Sequence, residues 1–270
     1  MGVSANRKFA GSYAEDPMCG RIALYTPPSR LARLLDASLD EELESEGGPS
    51  WNVAPSQTML ALVEPRPDDS AASSEAAGRV LRAFRWGLVP YWAGDPSIGN
   101  RMINARAETV ASKGAFSSAL SRRRCLVVAD GFYEWQRDPV NPKRKVPYYF
   151  VRADGLPLTL AGLWERWQPP DRPEALLLSC TVITTSAGPD IEFVHDRMPV
   201  VVEAPDFDRW LSRAERDPEA VLPLLRPAPA GTLRSHPVSS LVNSPRNDSP
   251  ELIVEVEAPP PEEPVPTLFD

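Results

Sequence analysis

Apolar residues along this chain fall mostly into short runs, each bounded by Gly, Pro, Asn or Asp. Such runs predict strands rather than long helices. "CGRIALYT" reads as a first strand, Met59 to Val63 as a second, and "VLRAFRWGLVPYW" as a third that ends in a turn. Four more strand-like runs follow in close order: "RCLVVADGFYEWQR", "VPYYFVRAD", "PLTLAGLWERWQ" and "ALLLSCTVITTSA". Helical spacing is confined to fewer places. "PSRLARLLDASLDEELES" repeats Leu31, Leu34, Leu35 and Leu39 behind Ser29 as an N-cap, and "VASKGAFSSALSRR" is helix-like. "APDFDRWLSRA" and "DPEAVLPLLR" predict short helices with acidic N-termini. "SAGPDIEFVHDRMPVVVE" reads as a loop and a short strand, and "HPVSSLVNSPRNDSPELIVEVE" closes the fold. The sum is a strand-rich α+β domain with helices at its margins.

Three segments fall outside that pattern. Residues 1–17 lack an apolar stretch and read as a flexible leader, with no signal peptide. "PRPDDSAASSEAAGR" is small, polar and proline-bearing, as expected of a mobile loop between hairpin strands. Residues 258–270 are too acidic and proline-rich to pack. The domain proper is therefore expected over 18–257. The longest apolar runs are far too short to cross a bilayer, so a cytoplasmic protein is expected.

Charge changes the picture through its distribution. The formal net charge of −8 speaks against a nucleic-acid partner, but residues 251–270 and 36–50 each hold six acids and no base. The rest of the chain is left at +4, which is compatible with a basic face on the body of the fold. Three cysteines with no CxxC pair argue against a disulfide framework and a zinc site. Cys125 and Cys180 lie inside apolar runs and read as buried strand residues, whereas Cys19 sits between Met18 and Gly20, outside any such run.

Chemistry has few candidates. His195 stands in "VHDRMPV" between charged neighbours, and a structural histidine is the alternative to a catalytic one. His236, before Pro237, reads as structural. Glu134 in "GFYEW" shares a strand face with Phe132 and opposes Tyr133 and Trp135. A carboxylate among aromatics is desolvated, which suits general acid–base work. A water-facing edge glutamate is the bland alternative. "NARAET" sets Asn104, Arg106 and Glu108 at alternating positions on one side of an extended segment, fit to hold a phosphate or to be a solvated junction. Trp51, Trp86 and Trp92 could stack bases, but most such tryptophans are core anchors.

In this order, "MCGR", "WNVAPSQ", "WGLVPYW", "NARAET", "RCLVVADGFYEW", "VITTSA", "HDRMPV" and "PVSSLVN" resemble the SRAP family, the SOS response-associated peptidases. The resemblance runs from about Met18 to Val256. It implies a mostly antiparallel, barrel-like sheet core with peripheral helices. It also implies a protein that shields abasic sites in single-stranded DNA or at its junction with duplex, with no metal or organic cofactor, acting as a monomer near the nucleoid or replication fork.

Residue by residue, the resemblance makes Cys19 the nucleophile, once it is the N-terminal residue. It makes Glu134 a proton shuttle for imine formation and sugar-ring opening, His195 a residue that helps open the sugar and reverse the cross-link, and Asn104 the group that orients the sugar or the amine. Arg21, Arg106 and Arg197 fall at positions that hold DNA phosphates. Asn52, Pro55 and Trp86 fall in a wedge-and-stacking region. The leader is then expected to be absent from the mature protein, either because translation starts at Met18 or because proteolysis removes it. A cysteine peptidase built on Cys19 and His195, and a non-covalent single-strand binding module, are the alternative readings. The terminal "PVPTLFD" loosely resembles peptides that dock on bacterial sliding clamps through Leu268 and Phe269, without the expected glutamine. A plain solvated tail is the alternative.

Overall fold

The central strands are apolar on both faces because both faces are covered. In the computed structural model, which describes residues 19–40, 43, 48–65, 78–169, 171–172 and 174–260, these strands form a small closed barrel. The described elements, in chain order, are β1 (Ile22–Leu24), α1 (Pro28–Leu34), β2 (Ser38–Leu39), β3 (Ser50–Val53), β4 (Thr58–Val63), β5 (Val80–Trp86) and β6 (Asn104–Arg106). Then come α2 (Gly114–Arg122), β7 (Arg124–Ala129), β8 (Gly131–Arg137), β9 (Lys145–Arg152), β10 (Leu158–Trp167), β11 (Leu177–Ser186) and β12 (Arg197–Pro199). The short helices α3 (Phe207–Leu211) and α4 (Pro218–Val221) and the strand β13 (Leu233–Pro237) complete the series.

β11, β10, β7, β4 and β5 pair in that order through antiparallel ladders. Parallel pairs Ser179↔Arg85 and Cys180↔Trp86 join β11 to β5 and close the ring. Alternation then sorts the side chains. Met59, Ala61 and Val63 of β4 point into the barrel with Cys125, Val127, Leu160 and Val182. Leu60 and Leu62 point outward and are covered with Leu126, Val128 and Leu163 by Leu31 of α1, Phe116 and Leu120 of α2, and Trp210 of α3. That double burial explains the continuous run "CLVVA" and confirms Cys125 and Cys180 as fully buried strand residues.

A second sheet, ordered β13-β9-β8-β1-β3, carries the candidate chemistry. Its Ile22, Phe132 and Phe150 face belongs to the cluster that fills the barrel. Its other face holds Ala23, Tyr133 and Tyr149 against Val238, Val242 and Leu252 from the C-terminal segment. Gly131 is required here, because a Cβ at that position would lie 2.4 Å from the Tyr149 ring.

Three expectations need correction. "RCLVVADGFYEWQR" is two strands in two sheets, not one. The chain turns at Asp130, whose carboxylate accepts hydrogen bonds from the backbone N–H groups of Tyr25 and Thr26 and from the Thr26 hydroxyl at 2.6–2.8 Å. The helix expected behind a Ser29 cap starts two residues earlier, with Pro27 at the cap position, Pro28 at its first position and no side-chain cap. It also stops at Leu34: Asp36 has φ of 49°, and Ser38 and Leu39 then pair with Val80 and Leu81. The loop expected near 66–77, the leader and the proposed clamp peptide with Leu268 and Phe269 lie outside the described residues. No helix among the described residues is long and apolar enough to cross a membrane.

Candidate active site

Strand register brings Cys19 to Glu134. β1 pairs with β8 as Ile22↔Phe132 and Ala23↔Gly131, and Tyr133 donates to the Arg21 carbonyl at 3.0 Å. Carried two residues toward the N-terminus, this register sets Gly20 opposite Glu134. Cys19 then turns into the left-handed region, with φ of 46°, at a cost of about 1–2 kcal/mol for a residue with a Cβ. The turn aims the Cys19 backbone nitrogen at Glu134, whose Oε1 accepts its hydrogen bond at 2.5 Å.

Both partners are withdrawn from water: Cys19 is 0% and Glu134 3% exposed. Glu134 follows the strand alternation that its sequence predicts, on the side of Phe132 and Cys19 and away from Tyr133 and Trp135. Burial pushes the Cys19 thiol well above its usual range, and the neighbouring Glu134 charge pushes it further. The thiol at rest is therefore protonated.

His195 arrives on a different element. The turn that carries it is closed by bonds from Val194 and His195 N–H to the Ile191 carbonyl. Asp190 ties the same turn to β13 by accepting from Gly231 and Leu233 N–H at 2.9 Å. The Nδ1 atom of His195 has two neighbours: the Arg197 N–H at 3.1 Å and an Asp196 carboxylate oxygen at 2.9 Å. One nitrogen cannot accept and donate at once. In the neutral ring Nδ1 accepts from Arg197 and Nε2 carries the proton. In the protonated ring Nδ1–H donates to Asp196, which is 88% exposed.

Glu134, His195, Gly20 and Arg21 line one open cleft of about 500 Å³ with Trp135, Arg137, Lys143, Lys145 and Asn243. Arg21 is built in: its Nη1 donates to Asn52 Oδ1 and to the Val242 carbonyl, both at 2.7 Å. Its guanidinium carbon lies 6.0 Å from the centre of the Trp135 ring. Burial lowers its pKa without bringing it near neutrality. The cations of the cleft have a local origin. Arg137 and Lys145 are direct cross-strand partners on β8 and β9, and Lys143 sits in the connecting turn.

Other expected residues lie elsewhere. Asn52 is 1% exposed; its amide donates to the carbonyls of Val242, Ser244 and Asn247. It therefore fixes Arg21 and the C-terminal segment rather than offering a wedge. Trp86 is fully buried and donates to the Ile103 carbonyl at 3.0 Å, so it is a core anchor rather than a stacking surface. Pro55 is half-buried in the turn before β4. Asn104 and Arg106 share one side of β6, with Ala105 turned into the outer core. Arg197 is engaged by both oxygens of Glu108 at 3.0 and 3.2 Å and by the Thr184 carbonyl at 2.8 Å. None of these lines the cleft. His236 is structural, bonded through Nε2 to the Ile253 carbonyl at 2.9 Å.

Trp135, Arg137, Lys143, Lys145 and Asn243 were not singled out from sequence. The basic run "NPKRK" was the one visible pointer; the hairpin register sets its Lys145 opposite Arg137, and Lys143 and Lys145 line the cleft that holds Glu134. A second, mostly apolar cavity of about 370 Å³ beside Leu24, Val53 and Leu60 shares none of these groups. Among the described residues no group of three or more His, Cys, Asp or Glu could hold a metal ion.

Comparison with known proteins gives the family. The family model for SOS response associated peptidase (SRAP) matches residues 18–245. The abasic site processing protein YoqW of Bacillus subtilis is 40% identical over 237 residues, covering 87% of this chain and 99% of its own. The abasic site processing protein HMCES of Gallus gallus is 36% identical, covering 89% of this chain and 78% of its own. A solved structure of a Bacteroides thetaiotaomicron protein shares the fold with a TM-score of 0.73 at 21% identity, covering 88% of this chain and 100% of that one. This chain is a member of the SRAP family.

Proposed function

We propose that this protein captures abasic sites in single-stranded DNA by forming a thiazolidine between an N-terminal Cys19 and the ring-opened sugar. The observation that carries the reading is the Cys19 nitrogen held 2.5 Å from the buried Glu134 carboxylate in a cleft that also holds His195 and four cations. In the full chain that nitrogen is an amide. Once the peptide bond to Met18 is cut, the same position holds an α-amine with a reference pKa of about 8, beside a carboxylate suited to take its proton.

The steps follow from the groups. His195 in its protonated form gives its Nε2 proton to the ring oxygen of the closed sugar as the C1′–O4′ bond breaks, the C1′ hydroxyl gives its proton to water, and the C1′ aldehyde is released. The amine lone pair attacks C1′ and gives a carbinolamine. Glu134 passes the amine's proton to the departing hydroxyl, water leaves, and an imine remains. The thiol then adds across the C=N bond: sulfur bonds to C1′, its proton goes to nitrogen, and a five-membered ring closes. One water is lost overall and nothing is oxidised or reduced. The second bond is intramolecular, which favours closure. A protonated, buried thiol fits this order, in which the amine attacks first.

Two further features support DNA as the substrate. Arg137 and Lys145 face each other directly across a strand pair, which concentrates positive charge at the cleft they line. The matched relatives are named abasic site processing proteins. A peptidase acting in trans needs a thiolate, and the burial of Cys19 weighs against it. Self-cleavage that exposes Cys19 is compatible with the capture reading. Incubation with a single-stranded oligonucleotide carrying one abasic site tests the proposal. A heat-stable adduct, absent with intact DNA and absent with Cys19→Ala, is expected. Cleavage of added peptides without an adduct would overturn it.

A further inference from the structure

Phe193 is 48% exposed, while Ile191 and Val194 on the same turn are buried. The open ring is nevertheless held firmly. Its edge packs on Tyr148 with ring centres 5.4 Å apart and an interplanar angle of 85°, and it also touches Phe150 at 6.4 Å. Gln136 donates from Nε2 to the Phe193 carbonyl at 3.1 Å.

These contacts fix its location relative to the cleft. Tyr148 is the cross-strand partner of Glu134. Gln136 lies between Trp135 and Arg137, both of which line the cleft, and Phe193 stands two residues before His195. A half-exposed aromatic ring, packed on Tyr148 and bonded to Gln136 through the residue's carbonyl, therefore neighbours the residues of a groove lined by Arg21, Arg137, Lys143 and Lys145. Basic grooves with fixed aromatic platforms are how proteins hold single-stranded nucleic acid without reading its sequence, because every base has a face to stack.

We propose that Phe193 is the stacking platform for a base flanking the lesion, and so a specificity-determining residue of this site. The inference rests on the reading of the cleft as a single-stranded DNA site. An abasic nucleotide has no base of its own to bind. A ring beside the reacting centre gains contact only from the neighbouring nucleotide, and holding that neighbour seats the bare sugar over Glu134 and His195.

The test uses an oligonucleotide with a central tetrahydrofuran, an abasic analogue without an aldehyde, so that binding is read apart from any covalent step. One version has ordinary bases on both sides of the tetrahydrofuran. The other has further tetrahydrofurans there. Phe193→Ala is expected to weaken binding to the first about tenfold and to leave the second nearly unchanged, while Phe193→Trp restores the first. An equal loss on both oligonucleotides, or no loss on either, overturns the proposal. A second readout separates stacking from support of His195. With a true abasic site, Phe193→Ala is expected to need about tenfold more DNA for half-maximal cross-linking and to keep the parent's pH profile. A shifted profile would make Phe193 a positioning residue for His195 and would sink the stacking role. Cross-linking by the parent protein is scored separately, so failure of the capture reading is distinguishable from failure of this one.

Discussion

Under the proposed reading, a Cys19 freed of Met18 carries two nucleophilic groups whose surroundings treat them differently. Its nitrogen is held by Glu134, while its thiol is raised first by burial and then by the Glu134 charge. A thiol has a reference pKa within reach of neutral pH, and burial in this fold moves that of Cys19 away from it. Glu134→Gln keeps the shape and loses the proton shuttle, so cross-linking is expected to slow on the order of a hundredfold, measured as a single-turnover rate. A rate within threefold of the parent would remove Glu134 from the mechanism. Trp86 makes the opposite prediction to the one its motif suggests. Trp86→Ala is expected to cost ~3–5 kcal/mol of stability through an emptied core, seen as a lowered Tm, rather than a selective loss of DNA affinity.

At the scale of elements, β8 organises the site. It pairs with β1 to present Cys19, carries Glu134, holds the His195 turn through Gln136, and joins β9 to set the cations. Gly131→Ala would drive a Cβ into the Tyr149 ring, so a loss of about 1–3 kcal/mol is expected together with slower cross-linking. Unchanged denaturant stability would contradict the tight β8–β9 packing. Cys19, Glu134 and His195 were legible from sequence because each sits in a short motif. Strand alternation alone also set Glu134 on the Phe132 side correctly. The break at Asp130 was not legible, since "CLVVADGFYEW" is apolar on both sides of the turn and the turn depends on Tyr25 and Thr26, far away in sequence. Asn52 misled for a related reason. An asparagine between a tryptophan and a proline looks available, but its partners are carbonyls at 242, 244 and 247 that only the folded C-terminal segment supplies.

Across the whole molecule, net charge and local charge point in opposite directions. The chain is acidic at −8, yet the cleft gathers Arg21, Arg137, Lys143 and Lys145 around one glutamate. Binding of single-stranded DNA is therefore expected to weaken with salt, and each of Lys143→Ala and Lys145→Ala is expected to flatten the log–log slope by about 0.7. A slope that neither change alters would move the phosphates off this hairpin. Buried thiols set a second global property. Burial raises Cys125 and Cys180 above their usual range, Cys125 with a smaller push from Cys180. In the unfolded chain they lose protons from about pH 8.5. Above that pH the unfolded state binds fewer protons than the folded one, so stability falls as pH rises; below it the contribution is constant. Urea unfolding at pH 7.5 and 9.5 checks this, with a shallower decline expected for Cys180→Ala.

The central claim is that the free amine of Cys19 is the first nucleophile. Intact-mass analysis of two chains, one beginning at Cys19 and one retaining residues 1–18, after incubation with the same abasic oligonucleotide, tests it most directly. The chain that begins at Cys19 should gain the mass of the DNA less one water, and the longer chain should gain nothing. A stable adduct on both chains, or on neither, would contradict the account.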